Sequence, residues 1–423
     1  MATKFLFRTA ALAAALLAAA ACVYPYEVDI DYNGDLPLVV EGDIHLGGLT
    51  TVRLSYVHPF NATEEDYYRI PFATGYIEGE DGTRIDQDDP GAGLPDYPGF
   101  PTHDGWLTSS SSAYPLGFPS NTLTFHTENL SLGQRYRLHL ETYNPESGGV
   151  ANVFESEWLT PLDAPTIDGL SYSHHPEYEE LWVGLSMHCN GAHHFRWTFS
   201  ETWEYHSDIP TSYEYKPFQR KVGLFDGPTL YYCWDSANSS SINIFSTANQ
   251  TDDRFEELAF HTIPLSNRRL QVMYRIQVRL EAMSENAYNY WYNIQQNSEG
   301  QGSIFAPTPS EMASNIHCIT DPSIQVMGYL NAAVQTEATM YYDNAIEHYY
   351  KPGLPFERYD EKVSVKQLDS MDYWYSHGYL PYQEIYEGTM EPSHYMWAQG
   401  ICIDCRKLGG TKVKPKGWPT PDR

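Results

Sequence analysis

Positive charge is scarce in this chain. Lys and Arg number 26 against 55 Asp and Glu, a formal net charge of −29. A surface of that sign repels phosphate backbones and anionic headgroups, which excludes nucleic acid as a partner. Long apolar runs are also missing beyond the first stretch, so nothing else in the chain could anchor it to a membrane. No Gly-x-Ser-x-Gly, His-Glu-x-x-His or phosphate loop occurs, and no motif calls for a cofactor or a metal. Charged residues make up only 19% of the chain while aromatics make up 14%, with 34 Tyr and 10 Trp. That composition belongs to a folded protein with a Tyr-rich surface, not to a disordered acidic tail. At 423 residues, two or three domains are expected.

The first stretch decides where the rest works. Lys4 and Arg8 precede an Ala/Leu run, Thr9 to Ala21, that leads directly into Cys22. This is the order of a secretory signal peptide, and small residues before a cysteine resemble a bacterial lipobox, although Ala19 stands where Leu is commoner. The expectation is a leader over 1–21 and acyl chains such as palmitate on Cys22. Several such chains, at about 0.8 kcal/mol per buried methylene, hold a protein on a membrane durably. Residues 22–36 read as an acidic tether. Asp29, Asp31, Asn33 and Gly34 imitate the opening of a calcium loop, but Val40 occupies the position of the bidentate acid, so a solvated linker is the reading.

From Leu38 the texture is that of strands. Leu38–Ile44, Thr50–Val57, Phe72–Glu78, Leu123–Thr127, Arg135–Tyr143 and Val153–Leu159 are short β-branched and aromatic runs separated by turn residues. Asp81-Gly82 predicts a two-residue type I′ hairpin. The fold class is therefore mainly β. A first immunoglobulin-like or transthyretin-like sandwich is expected over 37–160, interrupted by a long loop at 86–120. Tyr97, Phe100, Trp106 and Tyr114 in that loop could stack on sugar rings or pack on a partner.

Pro161 to Pro165 reads as a linker, and a second sandwich is expected over 166–335. In it Phe195, Trp197, Phe199, Trp203 and Tyr205 share one face of a strand, the pattern of a core-facing surface. Further strands are expected near 181–187, 230–234, 241–245, 273–281 and 324–333. His174, His175, His188, His193, His194 and His206 crowd together without metal-site spacing. Residues 284–297 predict a helix, with Ser284 as cap and Ala287, Tyr288, Trp291 and Ile294 as the apolar stripe that docks it. The remainder, 336–423, reads as an irregular Tyr-rich extension, with Trp374 and Tyr375 as exposed contact residues.

With Cys22 lipidated, Cys189, Cys233, Cys318, Cys402 and Cys405 remain, enough for two disulfides and one leftover in an oxidising compartment. Cys233 with Cys318, both bordering predicted strands, is the first choice of pair. Cys402 and Cys405 lack the contexts of a redox or zinc site and read as a structural disulfide.

Several segments form an ordered set: the lipobox and tether, Leu38 to Gly42, the linker into Ile167-Asp168, Ser284 to Trp291, Asn315 to Cys318, Val326 to Tyr329, Cys402 to Cys405, Gly409 to Thr411, and Lys414 to Pro419. Together they resemble a family of Bacteroidota outer-membrane lipoproteins, the domain of unknown function forty-two forty-nine. The resemblance implies a secreted β-rich lipoprotein, commonly encoded beside TonB-dependent outer-membrane transporters, with no established activity. The insertion Asp86 to Ser120 and the unpaired Cys189 depart from the family pattern. Three functions compete: a non-catalytic lipoprotein that captures a glycan or peptide or braces a transporter, a glycan-active enzyme using paired carboxylates, and a structural or adhesive protein. Replacing Cys22 with Ser should release the protein from the membrane fraction; retention through a carbonate wash would refute the anchor.

Overall fold

The computed structural model describes residues 37–57, 72–88, 121–144, 149–227, 229–299, 314–352, 359–388 and 390–420. The expected leader and tether with Cys22, and Tyr97, Phe100, Trp106 and Tyr114, lie outside the described residues.

Two sheets form the first sandwich. One orders Val326–Met327, Leu38–Glu41, Leu49–Tyr56 and Thr122–His126; the other orders Ile316–Cys318, Val150–Ser156, Tyr136–Tyr143, Ala73–Gly79 and Arg84–Asp86. Alternation along Leu49–Tyr56 puts Val52 and Leu54 inside, where they meet Ile77, Phe125, Leu138 and Phe154. Each such side chain, once fully buried, stabilises by about 1.5–3 kcal/mol. Both sheets are closed at one edge by chain from far downstream. Ile316–Cys318 pairs antiparallel with Val150–Ser156, and Val326–Met327 pairs parallel with Leu38–Glu41. Residues 316–327 thus belong to the first core, although sequence reading assigned them to a second sandwich running to 335. Short strands like these show which core they complete only once the sheets exist.

The hairpin at Asp81-Gly82 exists, but its loop has three residues rather than two. Gly79 donates to Thr83 O at 2.8 Å, only Gly82 has positive φ (88°), and Asp81 Oδ1 accepts from Thr83 N at 2.9 Å. This is the turn-plus-left-handed-residue loop that needs one glycine instead of two positive φ values.

The second sandwich packs Arg254–Pro264, Glu180–His188 and Thr166–His175 against a larger sheet of Tyr232–Asn238, His194–His206, Met273–Ala282, Ala332–Asp343 and Ile44–Leu46. Phe195, Phe199, Trp203 and Tyr205 are buried between the sheets and Trp197 packs against them, as their spacing predicts. Arg254–Pro264 escaped sequence reading because two register shifts against Glu180–His188, with Glu257 at φ 52°, break its alternation. The helix Glu285–Glu299 forms behind its expected cap, with Ser284 Oγ accepting from Ala287 N at 3.1 Å; of the expected stripe Ala287 is buried and Tyr288, Trp291 and Ile294 are half-buried, while Tyr290, outside that stripe, is buried as well.

The two sandwiches share chain. After Leu38–Glu41 the backbone turns at Gly42 and runs on as Ile44–Leu46, the parallel edge of the second sandwich's large sheet. Gly42 (φ 145°) and Gly328 (φ 125°) line this crossing. A Cβ on Gly328 would lie 2.0 Å from Val40 O, so only glycine fits. The linker is tied in as well, since Leu162 exchanges backbone hydrogen bonds with Ala332 and Val334.

The extension is not irregular. Glu361–Ser364, His394–Gln399 and Tyr379–Ile385 form a sheet, Leu368–Ser376 is a helix, and Tyr215, Val363, Met371, Tyr395 and Trp397 make their shared core. Tyr215 comes from the hairpin Tyr213–Lys216 and Lys221–Leu224, an excursion of the second sandwich. Tyr215 completes that core, and Ala398, Cys402 and Ile403 form a further cluster with Ile209, so the extension's own sequence carries only part of the pattern. Cys233 bonds to Cys405, not to Cys318, and Cys402 and Cys405 do not pair. The bridge closes 172 residues and ties the extension to the edge strand Tyr232–Asn238. Non-reducing peptide mapping should recover a Cys233–Cys405 peptide, and Cys405→Ser should lower stability by about 2–5 kcal/mol in denaturant titration; a Cys233–Cys318 peptide would contradict this fold.

Candidate ligand cleft between the sandwiches

The outer face of the large sheet is polar because its strands alternate strictly. In register, Arg196 stands opposite Glu281 and Glu281 opposite Gln335; one row along, Thr198 stands opposite Arg279 and Arg279 opposite Glu337. Cross-strand neighbours of this kind interact directly. Ile44–Leu46 continues the sheet and adds His45, and the turn through Gly47 and Gly48 into Leu49 and Thr51 walls one side. The resulting cleft has a volume of about 560 Å³, within the usual size of small-molecule sites.

At its inner end Arg196 bridges the two sandwiches. Its guanidinium pairs with Asp43 and with Glu281, both 3% exposed, while Arg196 itself is 16% exposed. Asn331 N donates to Asp43 Oδ1 at 2.7 Å, and Gln335 Nε2 donates to Glu281 Oε2 at 3.0 Å. His45 Nδ1 lies 3.5 Å from the same Glu281 oxygen, and Arg196 stacks 5.3 Å from the centroid of Trp291, which the long helix supplies. Two acids thus share one guanidinium, and they divide the benefit unequally. Burial pushes the Asp43 carboxyl above its ordinary value despite Arg196, and the neighbouring Glu281 charge adds to the rise. Burial also opposes ionisation of Glu281, but Arg196, His45 and the Gln335 hydrogen bond outweigh it, and Glu281 sits below its ordinary value. Nearer the mouth, Arg279 Nε donates to Glu337 Oε1 at 2.5 Å.

A second buried carboxylate, Glu201, points into the sandwich core among the five aromatics. It accepts from Tyr274 Oη at 2.8 Å, lies 3.0 Å from His261 Nε2, and meets Arg269 Nη1 at 3.2 Å. Burial raises its pKa, but these partners bring it below the ordinary carboxylate value. It is a satisfied core group.

Of the contact residues expected from sequence, the two described ones, Trp374 and Tyr375, do not line the cleft. Trp374 is half-buried in the extension's core, 4.8 Å from the Tyr379 ring, so it is not the exposed aromatic that its sequence context suggested; Tyr375 is exposed and leans on Tyr215 at 5.2 Å. The six crowded histidines disperse over three strands and, at His193, the loop before one of them, and among the described residues no three potential metal ligands come together. Sequence reading passed over Asp43, His45, Arg196 and Glu281. Polar residues alternating with Val278 and Leu280 did mark the outer face, but Arg196 and Asp43 are 153 positions apart.

The model of the family described as Domain of unknown function (DUF4249) matches residues 23–339. The chain belongs to the DUF4249 family. The DUF4249 match spans both sandwiches and the cleft residues, and ends inside the strand Ala332–Asp343. Among curated proteins no match was found.

Replacing Arg196 with Met leaves two buried acids uncompensated, which costs about 3–5 kcal/mol at neutral pH. Burial then raises both folded-state pKa values above the unfolded ones. An acid raised in this way contributes stability below its unfolded pKa and loses it as pH rises through the folded one. The deficit of Arg196→Met relative to wild type should therefore shrink as pH is lowered from 7 towards about 4.5. Urea titrations at both ends of that range check this, and a deficit independent of pH would show that Arg196 acts by packing alone.

Proposed function

We propose that this DUF4249 protein is a lipid-anchored outer-membrane protein, acylated at Cys22 and facing the cell exterior, that binds a small polar solute in the inter-sandwich cleft and serves a TonB-dependent transporter as a non-catalytic accessory subunit. One observation carries the binding part: the cations of the cleft are already neutralised by neighbouring acids, Arg196 by Asp43 and Glu281, and Arg279 by Glu337. Such a wall offers donors and acceptors in balance. It suits a ligand with hydroxyl, amide or zwitterionic groups better than one with a strong net charge. Groups committed to fixed ion pairs are also poorly placed to exchange protons with a substrate. The shared strands keep the walls at constant spacing, so little ordering is needed when a ligand enters.

The anchor rests on Met1 to Cys22, and the transporter rests on the company that the family resemblance implies. Affinity capture of the native lipoprotein from detergent-solubilised outer membranes, read by mass spectrometry, should return a TonB-dependent β-barrel in near-equal amount. Recovery of no transporter, or turnover of a glycan or peptide library by the purified protein, would overturn the proposal.

A further inference from the structure

The cleft is walled on one side by two consecutive glycines, and the fold requires only the first. Gly47 has φ 79°, the left-handed conformation by which the chain turns from Ile44–Leu46 into Leu49–Tyr56. Gly48 has no positive φ, so its backbone is open to any residue. It is not crowded either. A Cβ built on Gly48 meets nothing within 4 Å, whereas one on Gly42 or Gly328 collides with backbone. At such a position a larger residue would stabilise the chain by restricting its unfolded state. Gly48 lines the cleft, and a side chain there would compete with a ligand for room.

The groups the cleft has left to offer are neutral. Arg196 is held by Asp43 and Glu281, and Arg279 by Glu337, so its charges are committed to one another. Thr51 and Thr198 are exposed and line the cleft. Among the described residues neither of their hydroxyls, nor the Gly48 N–H, has a hydrogen-bond partner. A hydroxyl both donates and accepts, and the amide donates. Leu49, 50% exposed, adds an apolar wall beside them.

We infer that the solute of the cleft is a neutral sugar of one or two rings, that Thr51, Thr198 and the Gly48 N–H meet its hydroxyls and Leu49 its C–H groups, and that Gly48 is glycine so that the ring can come up to the backbone. This rests on the cleft being a ligand site, as proposed, and narrows its chemistry. Close approach of backbone to ligand is one of the uses of glycine that no other residue supports. A pyranose carries hydroxyls and C–H groups on one small frame, and a cleft of about 560 Å³ admits a ligand of that size. An amino acid needs a free charge of each sign, and here it would have to break an existing pair to find one. Anions and cations fare no better, because each meets a like charge beside every opposite one.

Isothermal titration calorimetry of the full chain, in a detergent without a sugar headgroup, tests the inference. The probes are glucose, galactose, mannose, maltose and cellobiose, with glutamine, citrate and spermidine as zwitterionic, anionic and cationic comparisons. At least one sugar should bind, and more tightly than any comparison. Gly48→Leu should weaken that sugar about tenfold or more while melting no lower than the wild type; Gly47→Leu, forced into a positive φ, should melt lower. Thr198→Val, which removes only a hydroxyl, should weaken the sugar about three- to tenfold with an unchanged melt, and it decides the matter should Gly48→Leu fail to fold. Sugar binding untouched in Thr198→Val and in a folded Gly48→Leu would overturn the inference. Binding of a comparison but of no sugar, lost in Gly48→Leu, would overturn the ligand class and leave the cleft as a site. Heat from none of the probes would overturn the inference and the cleft site together.

Discussion

The structure depends on one guanidinium placed between two cores. Arg196 stands on the outer face of one sandwich and reaches Asp43, which sits where the chain passes from the other. Burying three charged groups is expensive, and a well-packed apolar trio would hold the joint at least as firmly. What the ionic arrangement adds is position. Asp43 must stand two residues beyond Glu41 and one before Ile44, and Glu281 must face Arg196 across the ladder, or a buried charge is left alone. The cleft inherits its fixed shape from that requirement, because its floor and its wall come from opposite sides of the same joint.

Strand sharing enforces the same joint by other means. Ile44–Leu46 and Ala332–Asp343 run parallel, and a parallel pair needs a long connection. Here the connection runs from Leu46 to Ala332 and includes most strands of both sandwiches and the helix. Closure of the first core therefore waits on residues 316–332, whose Ile316, Cys318, Leu330 and Ala332 complete it. The sandwiches are thus one mechanical body, and the DUF4249 match accordingly runs across both.

The extension is attached more lightly and in more than one way. Its sheet borrows Tyr215 from a hairpin of the second sandwich, the disulfide ties Cys405 to Cys233, and the last described residues dock back on the large sheet. There Glu204 Oε2 accepts from Trp418 Nε1 at 2.9 Å and from Thr420 Oγ1 at 2.6 Å. These contacts cover the large sheet at the Glu204 end, whereas the cleft occupies its Arg196 end. The face is thereby divided into a closed part and an open one.

Alternation and turn chemistry are local properties, and they made the β class, the inward aromatic face from Phe195 to Tyr205 and the helix from Ser284 legible without coordinates. The ordered motif set likewise carries the resemblance to the DUF4249 family. The pattern behind the proposed leader is equally local, a positive start followed by an apolar run and Cys22. Partnership is not local. Cys233 has its sulfur partner 172 positions away and Asn331 meets Asp43 across 288, and no window of sequence ranks such pairs, because loop closure grows only slowly dearer with length while packing decides among them. The sequence by itself determined many of the sandwich strands, the apolar face from Phe195 to Tyr205 and what the chain is related to, but not Arg254–Pro264 or the strands of the extension. Only the tertiary structure decided which core each strand closes, which thiols join, and that Arg196, Glu281 and Asp43 meet, since these follow from sheets meeting in space and not from residues meeting in order.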